Sequence, residues 1–401
     1  MMKKAAKLLD EGRIDEAAAR FEVAGRSYGG HAGAMTRAGE CYYLLRDYVK
    51  AAECYASVPS LNLREESTGL NYARALKQSG LYETAIAAFK RFAQEYEGGR
   101  KAEINALVGA EIRGCQMALE WRELPISGTV SLLPPTVNSR NNEFGPVAFS
   151  ERLLYFSVLH DGRAVFMRTQ KPADTWEPAA EALGLPVSLA GRFGNGTFSA
   201  DATRFYCTQC AEKPVANSRY PQCDIYVLTK GATGWSEPLR LRDYINLPGG
   251  TAMHPYTVQE QGKEYLYFSA ERPGGQGGLD LYVCEREINS GDIDFSLPQN
   301  LGTDINTAED EVTPFYDPFS RILWFSSKGH ATIGGMDIFK SNCLEGAWSP
   351  ALNAGLPLNS PADDLFYNQK KNGYGGFFIS NRLFGEEKKQ TRDQDIFEFF
   401  P

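Results

Sequence analysis

The 401-residue sequence has no apolar run of the ~18 residues that a membrane-spanning helix needs. Its opening stretch, MMKKAAKLLDEGRIDEAA, is amphipathic and lacks the continuous apolar core of a signal peptide. Two locations therefore stand as expectations: the cytoplasm, or an exported protein whose leader lies outside this sequence. Clustered lysine and arginine are equally scarce. The formal net charge is −8, and the one basic run, EEKKQTR near the end, reads as a solvated loop. Phosphate contacts need grouped cations, so nucleic acid is excluded as the main partner. The four histidines are isolated, and no nucleophile elbow, P-loop, HExxH or dinucleotide-binding glycine pattern occurs in an interpretable context. No catalytic residue, metal or cofactor is expected on these grounds.

Eight cysteines in this length are too few for a disulfide-built scaffold. Cys207, Cys210 and Cys223 form the one suggestive group, C-x2-C followed by twelve residues and a third cysteine. Zinc sites usually have four ligands, and no histidine or fourth cysteine lies close by. Zinc, a local disulfide and free thiols remain open for this group. The other five cysteines fall singly, where the residue behaves as a small hydrophobe.

What is present is repetition. GRIDEAAARFEVA from Gly12, RDYVKAAECYASV from Arg46 and GLYETAIAAFKRF from Gly80 align without gaps at a spacing of 34. Ala17, Ala51 and Ala85 form a small-residue column, and Phe21, Tyr55 and Phe89 a large one. A small residue lets two helices cross closely while a large one fills the gap between pairs, and apolar spacings of three and four place each set on one helical face. A further helix over about residues 101–121 is expected to cap the stack.

Beyond PISGTVSLLPPTVNS the periodicity changes from helical to alternating, with turn residues between short aromatic and β-branched runs. One strand phrase recurs as LYFS at Leu154, FYCT at Phe205, LYFS at Leu266, LWFS at Leu323 and FFIS at Phe377. A second recurs as DIYV at Asp224, DLYV at Asp280, DIFK at Asp337 and DIFE at Asp395. A Trp–Pro element follows at Trp176, Trp235 and Trp348, and reads as the fourth strand of its unit. Units of about four short strands are propeller blades, and five units make a five-bladed ring. The last unit lacks a fourth strand, which GTVSLLP at 128–134 is placed to supply, removing an exposed edge. The expected fold class is α+β multidomain: a helical repeat domain over 1–122, then a five-bladed all-β propeller over 123–401.

Carboxylates recur where the inner strands begin. Glu143, Glu311 and Asp364 align, with Asp310 and Asp363 alongside, and the blades that carry them are consecutive around a ring. These five are the candidate ligand-binding residues at the channel mouth. The contexts NNEFGP, EDEVTP and PADDLF repeat with the blade, which favours turn-building over a catalytic constellation. Five-bladed glycosidases nonetheless use inner-strand carboxylates as acid and base.

The 34-residue register resembles the tetratricopeptide repeat, and LWFSSKGHATIGGMDIF resembles the PD40 (WD40-like, TolB-type) propeller repeat. The combination is similar to the periplasmic proteins of Bacteroidetes that end in an OmpA-type domain, among them the PorE-type lipoproteins of type IX secretion. That resemblance implies a periplasmic, outer-membrane-associated scaffold without catalytic activity. It also implies protein partners in the envelope or secretion complex, and peptidoglycan contact only through a domain outside this sequence. The alternative is a propeller glycan hydrolase or glycan-binding protein that uses the mouth carboxylates.

Overall fold

The computed structural model describes residues 1–27, 31–160, 163–185, 192–214, 220–288 and 293–401. Among these residues there are seven helices, all near the N-terminus: α1 (Met2–Asp10), α2 (Ile14–Arg26), α3 (Ala32–Leu44), α4 (Tyr48–Ala56), α5 (Glu66–Gln78), α6 (Tyr82–Glu95) and α7 (Lys101–Trp121). The turns that follow α1, α3 and α5 each need a left-handed residue. Gly12 (φ 76°) and Gly80 (φ 74°) adopt it freely, while Arg46 (φ 59°) does so with a β-carbon in the way. Asp47 then caps α4 by accepting from the Lys50 amide at 3.4 Å.

A tetratricopeptide solenoid is not what these helices form, and the expectation is corrected here. They are short and unequal, from 9 to 21 residues, and a non-helical stretch separates α4 from α5. The repeating small and large columns specify close helix crossings, and Ala17, Ala51, Ala85, Phe21, Tyr55 and Phe89 are all buried. That requirement is met by short helices each packed on the next, with Lys77 of α5 and Gly114 of α7 meeting Thr332 of the propeller. Ile333, from the strand-rich part, is fully buried inside the helical core.

The remainder, which is most of the chain, holds 22 strands among the described residues, arranged in five antiparallel sheets. The sheets are the blades of a five-bladed β-propeller. Their innermost strands are Asn142–Ser150, Arg192–Phe198, Thr251–Glu260, Glu311–Asp317 and Asp364–Gln369. In the fifth blade the outermost strand is Thr129–Leu132, which runs antiparallel to Asp395–Phe400 with Thr129 opposite Phe400 and Leu132 opposite Phe397. First and last strands thus share one sheet, which leaves no open edge at the seam.

The Trp–Pro element departs from its expected place. In the second and fourth blades Trp235 and Trp348 lie in two-residue extensions that hairpin back on the third strand. The fourth strands proper come later, at Leu239–Arg240 and Leu352–Asn353.

Blade joining depends on an asparagine that recurs where the chain leaves one sheet for the next. Asn246 accepts from the Ile225 amide at 2.7 Å and donates to the Ile225 carbonyl at 2.9 Å. Asn306 does the same with Leu281, Asn359 with Ile338, and Asn138 with Ile396. A side-chain amide sets an N–H beside a C=O as a peptide does, so it stands in for one residue of a neighbouring strand, and its second N–H is left for another carbonyl.

Candidate functional site

Five residues after each of three clamping asparagines stands one of the aligned carboxylates. Glu143 accepts from the Ser139 amide at 2.9 Å and its hydroxyl at 2.6 Å. Glu311 accepts from the Thr307 amide at 2.7 Å, the Thr307 hydroxyl at 2.8 Å and the Ser327 hydroxyl at 2.6 Å. Asp364 accepts from the Ser360 amide and hydroxyl at 2.7 and 2.8 Å, and pairs with Arg382 at 2.5 Å. All three are wholly buried. Burial pushes the Glu143 and Glu311 carboxyls up to about 7, against the hydroxyl and amide donors that favour the ionised form. Each of the three closes a turn.

Their neighbours Asp310 and Asp363 reach the seam between helices and propeller. Asp363 accepts from the Met336 amide at 3.1 Å, the Tyr48 hydroxyl at 3.3 Å and Gln78 at 3.4 Å. Asp310 accepts from the Leu279 amide at 3.1 Å and from the Tyr220 hydroxyl. Both line a cleft of about 230 Å³ that also presents Arg46, Arg74 and Lys328. The structure therefore separates the five candidates: Asp310 and Asp363 face one cleft, while Glu143, Glu311 and Asp364 are sealed in their turns. The helices meet loops of the fourth and fifth blades on this side.

Halfway along, the channel is closed. Each inner strand has a left-handed residue at the equivalent position: Gly145 (φ 59°), Asn195 (φ 32°), His254 (φ 57°), Thr313 (φ 55°) and Phe366 (φ 56°). Four are not glycine and one is β-branched, so the backbone is strained around the waist. Side chains hold it there. The Thr208 hydroxyl donates to Asn195 at 2.8 Å and accepts from the His254 amide at 3.1 Å. Thr313 donates to Ser326 at 3.0 Å, and the Phe366 amide donates to Thr313 at 3.3 Å. Only about 30 Å³ remains inside this girdle, room for about one water. Burial holds the His254 imidazole down at about 3, so it is neutral at any ordinary pH.

The opposite mouth is open. It is a funnel of about 730 Å³ walled by the far ends of inner strands from all five blades. Phe149, Phe198, Tyr256 and Phe315 supply aromatic surface, and Phe319 stands almost fully exposed on the rim. Polar groups are interspersed: Ser199, Gln259, Asp317, Gln369 and Lys371. The Gln259 amide nitrogen is buried there without a hydrogen-bond partner. Sequence reading passed over this wall. Its signal was the set of aromatics toward the ends of inner strands, which alternation alone assigns to the core.

Among the described residues no three His, Cys, Asp or Glu side chains group in a way that could hold a metal ion. Cys210 and Cys223 face each other across adjacent strands and are joined as a disulfide, while Cys207 stays a buried thiol.

No family model matches the chain, and no curated protein matches it. Among solved structures it is similar to the α-L-arabinofuranosidase PaAbf62A from Podospora anserina, at 12% identity and a TM-score of 0.44, covering 69% of this chain and 98% of that one. It is similar to the xylan β-1,4-xylosidase of Bacillus halodurans C-125, at 12% identity and a TM-score of 0.44, covering 67% of this chain and 54% of that one. It is also similar to an endo-arabinase from Bacteroides thetaiotaomicron VPI-5482, at 13% identity and a TM-score of 0.42, covering 68% and 97%. At these values no residue role passes from those enzymes to this chain.

These findings correct four expectations. No tetratricopeptide, PD40 or PorE-type relative appears, so the resemblance is withdrawn. With it go the type IX secretion assignment, the non-catalytic scaffold and the exclusion of enzyme activity, which rested on that resemblance. The five-bladed propeller stands on its own five sheets.

Proposed function

We propose that the protein is a carbohydrate-active propeller that takes a glycan into the open funnel. The observation that carries this reading is the wall itself: about 730 Å³, aromatic faces from several blades, and an unpartnered buried amide donor at Gln259. Small-molecule sites are typically concave, ~300–1,000 Å³, largely apolar and aromatic, with a few convergent polar groups. Aromatic faces suit the C–H faces of sugar rings, and interspersed amides and hydroxyls suit their hydroxyl edges. The closed waist makes the funnel a blind socket, which favours a chain end or side branch over a threaded polymer.

Bond cleavage asks for two carboxyl groups on either side of the glycosidic oxygen. Asp317 is the carboxylate on the funnel wall. The carboxyls held near neutrality, Glu143 and Glu311, lie outside the funnel wall, in the turns that open their inner strands. The disulfide at Cys210–Cys223 supports an oxidising compartment such as the periplasm.

The test is a panel of oligosaccharides, xylo- and arabino-oligosaccharides among them, read by calorimetry for binding and by reducing-end release for cleavage. Saturable binding or release with at least one class is the expected result. A panel with neither would remove the reading.

A further inference from the structure

The seam between helices and propeller holds a second cavity, separate from the funnel. Its volume is about 230 Å³, and its walls come from α3, α4, α5 and α7 on one side and from the loops of the fourth and fifth blades on the other. Three cations line it: Arg46 between α3 and α4, Arg74 on α5 and Lys328 of the fourth blade. Arg74, on α5, gives its Nε to Glu111 at 2.6 Å, while its Nη2 is buried with no partner. Lys328, just past the second strand of the fourth blade, has its nearest carboxylate, Glu309, at 3.8 Å, beyond hydrogen-bonding reach.

The acids in the same seam are otherwise engaged. Glu111 is shared between Arg74 and Lys77, each at 2.6 Å. Asp310 and Asp363 are held by backbone amides and by the Tyr220, Tyr48 and Gln78 side chains. The Arg74 Nη2 and the Lys328 ammonium thus share a cavity whose carboxylates, Glu111, Asp310 and Asp363, hydrogen-bond to other groups. Like charges brought together in a partly dry site repel unless something neutralises them. The Arg74 charge, with burial second, accordingly holds the Lys328 ammonium below its ordinary value.

We propose that this cleft is a binding site for a small anion, a carboxylate or a phosphate, held between Arg74 of the helices and Lys328 of the propeller. The buried Nη2 supplies a donor that the protein leaves unmatched, and a charged donor unmatched in this way is costly. The anion bridges the two parts of the molecule, so its binding stabilises their docking through mass action. The site needs no sugar and does not depend on the funnel.

The test uses the full chain and two probes, inorganic phosphate and D-glucuronate, titrated at constant ionic strength with sodium chloride as the balancing salt. Thermal midpoint and calorimetric heat are followed together. The expected result is a saturable rise in midpoint with one probe or both, and which probe responds separates the phosphate source from the carboxylate source. Lys328→Met, which loses only a long ion pair, should weaken the response at least tenfold. Arg74→Gln should do the same provided its circular dichroism matches the wild type. A wild-type midpoint that follows ionic strength alone would overturn the proposal. So would a Lys328→Met variant that binds as the wild type does.

Discussion

Lys77 of α5 and Glu111 of α7 form an ion pair 2.6 Å long at the centre of the helix–propeller seam, and the same ammonium donates to Thr332 of the fourth blade at 2.6 Å. Lys77 is 1% exposed. A buried pair of this kind adds little beyond what well-packed apolar residues would, but removing one partner strands the other. Glu111→Ala should therefore cost about 3–5 kcal/mol. The double variant Lys77→Met/Glu111→Met should recover part of that loss and not all of it, because Arg74 also gives up its carboxylate. Chemical denaturation of the three proteins checks it, and equal losses in single and double variants would contradict it.

Gly114 of α7 touches the same blade. A β-carbon there would stand 1.8 Å from the Thr332 carbonyl oxygen, and backbone cannot yield as a flexible side chain can. In an isolated helix, glycine to alanine gains up to about 1 kcal/mol. Overpacking of this kind costs about 1–3 kcal/mol. Gly114→Ala should therefore lower the thermal midpoint and make the segment between α7 and residue 128 more open to protease. A raised midpoint would mean that α7 does not bear on Thr332.

The pH dependence follows from two opposed sets of carboxyls. Burial raises Glu143, Glu311 and Asp337 to about 7 in the folded protein. Between about 4 and 7 the folded state then holds more protons than the unfolded chain, so stability falls as pH rises through that window. Burial alone would also raise Glu111, but the Lys77 and Arg74 cations beside it hold it at about 2. Its contribution is present above the ordinary carboxylate range and is lost as pH falls toward 2. The thermal midpoint should peak near pH 4 to 5 and decline toward pH 8, and Glu311→Gln should flatten that decline. A midpoint that climbs steadily from pH 5 to 8 would refute this.

The Cys210–Cys223 disulfide spans 13 residues. Loop closure of that size is worth about 3 kcal/mol in the chain-entropy picture. Cys210→Ser and mild reduction should lower the midpoint by similar amounts. Cys207, fully buried with its thiol pushed up by burial, should stay unreactive toward thiol reagents until the protein unfolds. Labelling of Cys207 under native conditions would show that this sheet opens.

How far the fold could be read beforehand depended on what kind of spacing carried it. The five LYFS-type phrases marked the blades because the second strand is buried on both faces and must be apolar in every repeat. Leu154, Leu266 and Leu323 are all fully buried. The helical columns were misleading because Ala17, Ala51 and Ala85 report only on close crossings, and many arrangements of short hairpins satisfy them. At the candidate site, the alignment found Glu143, Glu311 and Asp364. It could not reveal that the Ser139, Thr307 and Ser360 turns already occupy their oxygens. Arg74 and Lys328 meet only after folding, from positions 254 residues apart. The funnel escaped notice because Phe149, Phe198 and Tyr256 obey the same pattern as core residues until the ring leaves one end open.

The central claim is that the open funnel binds a glycan, and its most direct test is a calorimetric titration of the best oligosaccharide from the panel into three proteins. The wild type should bind saturably. Gln259→Ala, which removes the unmatched amide donor, and Tyr256→Ala, which removes an aromatic wall, should each weaken binding about tenfold or more, a loss of roughly 1.4 kcal/mol. Unchanged affinity in both variants would place the glycan elsewhere, and no binding to the wild type would contradict the account itself.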